Sequence, residues 1–284
     1  FEVDGAESGR RLSYEVVDYA GKTVRTGAAR VEDGAAEVDV SPRRGYYALR
    51  FPAADAEFGL VALPGTDEGR GEFFCIDAAL SWLQPPGESR RGLVRGLRRC
   101  GIAMARERLS WGQVNPGPER WNWESDRKYD ALRSQYRSAN LPVLEVFHST
   151  PGWMEQVGPY PKSLLKTARS WRKIARHWRG SWGALEVWNE PDISFGGNLP
   201  ADRYVPLVET LSRVMPRSAD GPRLVGGVFA HYNRAYLDLA ARNGLLDAVD
   251  VISFHTYGRA GGMQQLVGRY QDWLRDNDRP GMPL

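Results

Sequence analysis

Residues 163–191 read SLLKTARSWRKIARHWRGSWGALEVWNEP, and the change of period inside this stretch decides the fold. Over 163–179 the tryptophans and aliphatics recur at three- and four-residue steps between lysines and arginines, the pattern of an amphipathic helix. Over 185–189 the pattern becomes a short apolar run of the kind buried on both faces of a parallel sheet, and Pro191 ends it. Working outward, the same alternation repeats. Strands are expected over 73–82, 103–111, 142–148, 185–189, 223–229 and 249–257, with helices over 90–100, 126–139, 163–179, 202–215, 234–243 and 263–276; Gly244 suits a left-handed helix end. Six strand–helix units in a row predict an α/β protein with a parallel sheet covered by helices.

A doubly wound sheet and an eight-stranded barrel both fit this alternation. No glycine-rich phosphate turn follows any strand, which removes the usual handle of a nucleotide fold. Polar and aromatic residues gather instead at the carboxyl ends of several strands: Trp82, Ser110 and Trp111, His148, Trp188 to Glu190, His255 and Tyr257. In a (β/α)8 TIM barrel those ends converge on one mouth. The expected fold is therefore such a barrel over 73–284, with about six of its eight units present. The segment 1–66 differs: short strand-like runs separated by Gly-, Asp- and Pro-bearing turns at spacings of about ten residues predict a small antiparallel β-sandwich domain. Residues 65–71 (GTDEGRG) read as a linker between the two.

Composition narrows the function. The 284 residues have a net charge of only +3, which demands neither nucleic acid nor anionic lipid, and no uncharged apolar run is long enough to span a bilayer. Cys75 and Cys100, expected as buried thiols, make no disulfide framework and no zinc spacing; HExxH is absent, and no metal or cofactor is expected. His177 in the basic helix is expected at the surface, and His231 has no partner spacing for a metal. The run SRRGLVRGLRR over 89–99 reads as a helix with Leu93, Val94 and Leu97 inward and arginines outward. Ten tryptophans and 12 tyrosines suggest flat apolar platforms as well as core, sugars being among the ligands that use such platforms; the alternative is that most of these rings simply fill a core.

The sharpest chemical signal is Val187-Trp188-Asn189-Glu190-Pro191. A carboxyl group ending a strand and turned into a pocket loses solvation and holds its proton to higher pH, as a general acid must. The neighbouring Asn189 offers a donor and an acceptor beside it. An Asn-Glu pair can also serve as a turn or helix cap, but that reading leaves the strand-end context unexplained.

The WNEP box at 188–191 resembles the acid/base motif of the clan A glycoside hydrolases, retaining enzymes on a (β/α)8 barrel whose acid/base glutamate ends strand four and whose nucleophilic glutamate ends strand seven. Residues 105–111 (ARERLSW) resemble the second strand of those barrels, with Arg106 the better match and Arg108 the fallback. Residues 253–257 (SFHTY) resemble the sixth, whose His-x-Tyr faces sugar and nucleophile, and 148–153 (HSTPGW) the third, closest to family 39. The resemblance implies that Glu190 protonates the glycosidic oxygen and later deprotonates water, that Asn189 binds the sugar 2-hydroxyl, and that Arg106 and Tyr257 hydrogen-bond the nucleophile. It further implies that His148 and His255 hold sugar hydroxyls, with Trp82, Trp111, Trp153 and Trp188 as stacking or wall residues. The implied partner is an oligo- or polysaccharide, which suggests secretion or a periplasmic location.

No glutamate follows the sixth helix, so the nucleophile and strands seven and eight are expected beyond Leu284, and the sequence reads as a fragment. Glu107, Glu145 and Glu186 sit within strands; Glu145 and Glu186 lie about 10 Å below the mouth at ordinary strand rise, and all three are expected as interior or helix-facing partners of Arg106, Arg108 or a lysine. Trp121 and Trp123 are expected to pack the loop before the second helix. The alternative function is a carbohydrate-binding pseudoenzyme of the same fold.

Overall fold

The computed structural model describes residues 8–62, 73–215 and 221–284, so the expected linker over 65–71 lies outside the described residues. The chain divides into two compact units, residues 1–69 and 70–284.

In the first unit, strands β1 (Arg11–Asp18), β2 (Thr23–Glu32), β3 (Ala35–Ala36), β4 (Gly45–Phe51) and β5 (Ala56–Ala62) form an antiparallel sheet in the order β3-β2-β1-β4-β5. Alternation along the strands puts Leu12, Tyr14, Val16, Val31, Leu49 and Phe51 into one small core. The expectation of a sandwich is corrected here: among the described residues this is one sheet. The run over 36–40 pairs only through β3, and Val38 and Val40 leave the ladder to pack against the core that a second sheet would otherwise cover.

The second unit runs β6 (Cys75–Asp77), α1 (Leu80–Leu83), α2 (Glu88–Arg99), β7 (Met104–Ser110), α3 (Trp111–Val114), α4 (Tyr129–Ser138), β8 (Val143–His148), a hairpin of β9 (Gln156–Val157) and β10 (Tyr160–Pro161), α5 (Leu164–Trp178), β11 (Trp182–Val187), α6 (Ala201–Val214), β12 (Arg223–Phe229), α7 (Arg234–Arg242), α8 (Leu245–Ala248), β13 (Val251–Phe254) and α9 (Met263–Asp276). Its main sheet has the order β13-β12-β11-β8-β7-β6, every pair parallel. A doubly wound sheet reverses its strand order at a switch point; a strictly sequential order is that of a barrel wall. The helices stop where their sequences say they must. Asn233 Oδ1 accepts from the backbone N–H groups of Ala235 and Tyr236 at the start of α7, and Gly244 takes φ +91° after its end.

Three further expectations change. The first strand is only three residues long, because the chain turns at Ala79 into α1, so Trp82 stands on a helix rather than at a strand end. Cys75 and Cys100 are exposed rather than buried. Arg90 does not face water: it is buried and donates to the carbonyls of Arg127 and Gln84, whereas Leu93 is exposed. The Trp121 and Trp123 rings do pack the loop ahead of α4, stacked on each other at 4.8 Å, and His177, at the surface as expected, stacks on Trp123 at 4.1 Å.

Candidate active site

The carboxyl ends of the parallel strands open onto a cleft of about 1110 Å3. Its lining includes Asp77, Trp82, Arg106, Arg108, His148, Trp188, Asn189, Glu190, His255 and Tyr257, drawn from the sheet's strands and the loops after them.

Glu190 is held there by backbone geometry that few sequences tolerate. Past the end of β11, Trp188 and Glu190 both take left-handed φ values, +71° and +49°, and Val228 across from them takes +50°. Such angles are strained for residues with a Cβ, and persist only where neighbouring bonds fix them. The Trp188 N–H donates to the Phe147 carbonyl at 2.8 Å and the Glu190 N–H to the Val228 carbonyl at 3.1 Å, so the chain keeps hold of both flanking strands after the ladder has ended. The next residues are clamped too. Tyr236 Oη donates to the Pro191 carbonyl, and Asp192 accepts from the N–H groups of Ala230 and His231. The result is a glutamate 8% exposed, with Oε1 in hydrogen-bond contact with His255 Nδ1 at 2.7 Å.

Arg106 ties the floor of the cleft together. Its guanidinium donates to Glu186 Oε2 at 2.5 Å, to Asp77 Oδ2 at 2.9 Å and to Asn189 Oδ1 at 3.0 Å. Ser253 Oγ donates to the other Glu186 oxygen at 3.0 Å. Arg108 grips Asp77 through both of its terminal nitrogens and lies 5.7 Å from the centre of the Trp82 ring. Burial works against the Asp77 charge, but the hydrogen bonds and charges of Arg108 and Arg106 outweigh it and hold this carboxyl below its ordinary range. His148 pairs through Nδ1 with the Ser149 hydroxyl, sets its ring edge-on to Trp82 at 5.1 Å, and has a buried Nε2 with no partner among the described residues. Burial first, then the charges of Arg108 and Arg106, push it down to about 4, so it is neutral at ordinary pH.

The cleft thus brings together Glu190, Asn189, Arg106, His148, His255, Tyr257, Trp82 and Trp188. Trp188 serves as wall more than platform: its ring is 4% exposed and packs on Tyr160 at 4.8 Å. Trp111 and Trp153 are placed elsewhere. Trp111 starts α3 and turns into the core against Phe147 and Trp171, with no exposed surface; Trp153 packs half-buried on the core and donates to the Asn115 carbonyl at 2.8 Å. The in-strand glutamates find other partners than expected, except Glu186. Glu107 accepts from Ser81 and Tyr136, and Glu145 from Arg133 and Trp182. Sequence reasoning missed Asp77 and Phe195, both in the cleft lining. The aspartate ending an apolar strand in CIDAAL was a readable signal for the first; only the glycine pair after Phe195 hinted at the second.

No protein-family model matches the sequence, and no curated protein matches it. Solved structures of glycoside hydrolases match its fold. One is a family 39 glycoside hydrolase from the gut symbiont Bacteroides cellulosilyticus WH2, 20% identical, with a TM-score of 0.67 over 89% of this chain and 53% of that one. Another is the bacterial orthologue of human α-L-iduronidase, 13% identical, with a TM-score of 0.54 over 72% of this chain and 38% of that one. The chain spans about half the length of the first of these and shares with both the glycoside hydrolase fold.

Proposed function

We propose that the protein is a retaining β-glycoside hydrolase acting on oligo- or polysaccharides outside the cytoplasm, with Glu190 as general acid and base. The observation that carries the reading is the placement of Glu190: a nearly buried carboxyl at the mouth of the sheet, fixed by strained backbone and hydrogen-bonded to His255, beside the Arg106-oriented Asn189. Such a group delivers a proton to a glycosidic oxygen without first reorganising, and Asn189 is set to meet the 2-hydroxyl as positive charge grows at the anomeric carbon. His148, neutral, offers hydrogen bonds to sugar hydroxyls without adding a charge beside that carbon. Double displacement needs a second carboxylate. Asp77 lines the cleft, but both its oxygens are taken by two arginines; the resemblance to the clan A enzymes gives the role to a glutamate ending a seventh strand, which Arg106 and Tyr257 would meet.

The test uses Glu190→Ala in the full-length protein. The kcat/KM, which reports the first, bond-cleaving step, is expected to fall by about 10²–10⁴-fold on substrates with poor leaving groups and by far less on aryl glycosides with good leaving groups. Equal loss on both would remove the acid role.

The engagement of Asp77 also favours a second reading, a non-catalytic sugar-binding protein. Calorimetric binding of oligosaccharides with no turnover by the full-length protein would establish it.

A further inference from the structure

Within the cleft, Phe195 is an exposed aromatic ring on a loop built not to move. It is 57% exposed, although apolar rings of this size usually find cover. The loop is fixed from several sides. Trp188 Nε1 donates to the Phe195 carbonyl at 2.9 Å, Asp192 anchors the loop's start to the end of β12, and Gly196 lies so close to Pro191 that a Cβ would sit 1.9 Å from the Pro191 oxygen. Gly197 then takes φ +68° with Pro159 of the β9–β10 hairpin against it, so the loop and the hairpin interlock. The hairpin contributes Gln156 to the same cleft. A backbone held in this way leaves only the ring's own rotamers to be ordered on binding, which suits a stacking platform.

The position of the loop says which sugar stacks there. An acid that protonates a glycosidic oxygen stands at the bond between the two sugar units. The loop runs on from Glu190 and turns back against Pro191, so Phe195 stays on the acid's side of the cleft, the side from which the departing unit is protonated. We propose that Phe195 is the platform for the leaving-group sugar, with Gln156 as a polar contact to its hydroxyls, and that the substrate is a β-linked oligosaccharide with a pyranose ring on that side rather than a glycoside of a small alcohol. This rests on the assignment of Glu190 as the acid.

The experiment measures kcat/KM of the full-length protein, Phe195→Ala and Phe195→Trp on β-1,4-linked disaccharides of glucose, xylose and mannose, and on the matching β-glycosyl fluorides, whose leaving group has no ring. On the sugar that is cleaved, Phe195→Ala is expected to lose roughly ten- to a hundredfold more on the disaccharide than on the fluoride, the effect of about half a ring's burial. Phe195→Trp is expected to recover most of that difference. Equal losses on the two substrates, no loss on the disaccharide, or no recovery with tryptophan would overturn the platform. If the wild type cleaves none of these substrates, binding decides the platform, and the glycosidase reading is judged separately by the Glu190→Ala comparison. Saturation-transfer NMR with the same disaccharides should then show weaker binding to Phe195→Ala than to wild type; equal binding, or none to the wild type, overturns it.

Discussion

Glu145 on β8 and Glu186 on β11 are both strand-borne, nearly inaccessible and paired with an arginine, yet they do opposite work. The register explains why. Leu185 lies beside Glu145 and Glu186 beside Val146, so the two carboxylates are offset by one residue and point to opposite faces of the sheet. Glu145 faces the helical layer, where Arg133 of α4 binds it through two nitrogens at 2.8 and 2.6 Å and Trp182 Nε1 donates at 3.1 Å. Burial opposes the Arg133 charge, but Glu145 and Glu107 outweigh it and hold the guanidinium protonated. Glu186 faces the cleft side, where its arginine, 11% exposed, also reaches Asn189 and Asp77. The first pair closes on itself and serves the fold; the second passes orientation on to groups at the mouth.

Substitutions can break this contrast. The largest stability loss is expected for Arg133→Ala, about 3–5 kcal/mol in urea unfolding, because it leaves a buried carboxylate uncompensated; sugar turnover or binding per folded molecule should change little. Arg106→Ala should do the reverse, lowering kcat/KM by about 10²-fold through a misplaced Asn189 while costing less stability, because the guanidinium is partly open to the cleft, so water can replace it, and Ser253 still donates to Glu186. If Arg106→Ala proves the more destabilising and Arg133→Ala the more damaging to function, the division of labour is wrong.

A smaller effect is expected at His148. Its folded value of about 4 lies below the ordinary 6.5, so the unfolded chain binds the proton first as pH falls. The stability tied to the neutral ring is complete above pH 6.5 and is lost as pH drops toward 4, on the order of 1–3 kcal/mol. His148→Gln should flatten that part of the stability profile, as read by thermal unfolding across the range; an unchanged profile would place the ring in a wetter setting. The smallest effect belongs to Asp77→Asn. Its side chain is 44% exposed, so unfolding should move by about 0–1 kcal/mol, while loosened Arg106 and Arg108 should reduce kcat/KM severalfold.

The alternation of strands and helices and the strand-end cluster around Glu190 were legible because they rest on local period and on one short motif. What depends on register or on a turn was not. Nothing local distinguishes Glu145 from Glu186, since a one-residue offset between neighbouring strands chooses their faces. Trp111 resembles a mouth residue in sequence, but α3 begins at that residue and rolls it into the core. The first strand stops early at Asp77 because Ala79 takes a left-handed φ of +42° and starts a helix, an event that no residue preference announces. In the first unit, alternation of valine with charge over 36–40 suggested a strand, although the chain there contributes Val38 and Val40 to the core without pairing.

In the proposed reaction Glu190 is the acid and base of a retaining mechanism. Azide tests it most directly, because a small anion entering the space of a deleted carboxylate needs no base to attack. With Glu190→Ala in the full-length protein and an activated β-aryl glycoside, azide is predicted to restore turnover and to release a glycosyl azide of β configuration. An α-configured azide, or no response to azide, would contradict the assignment.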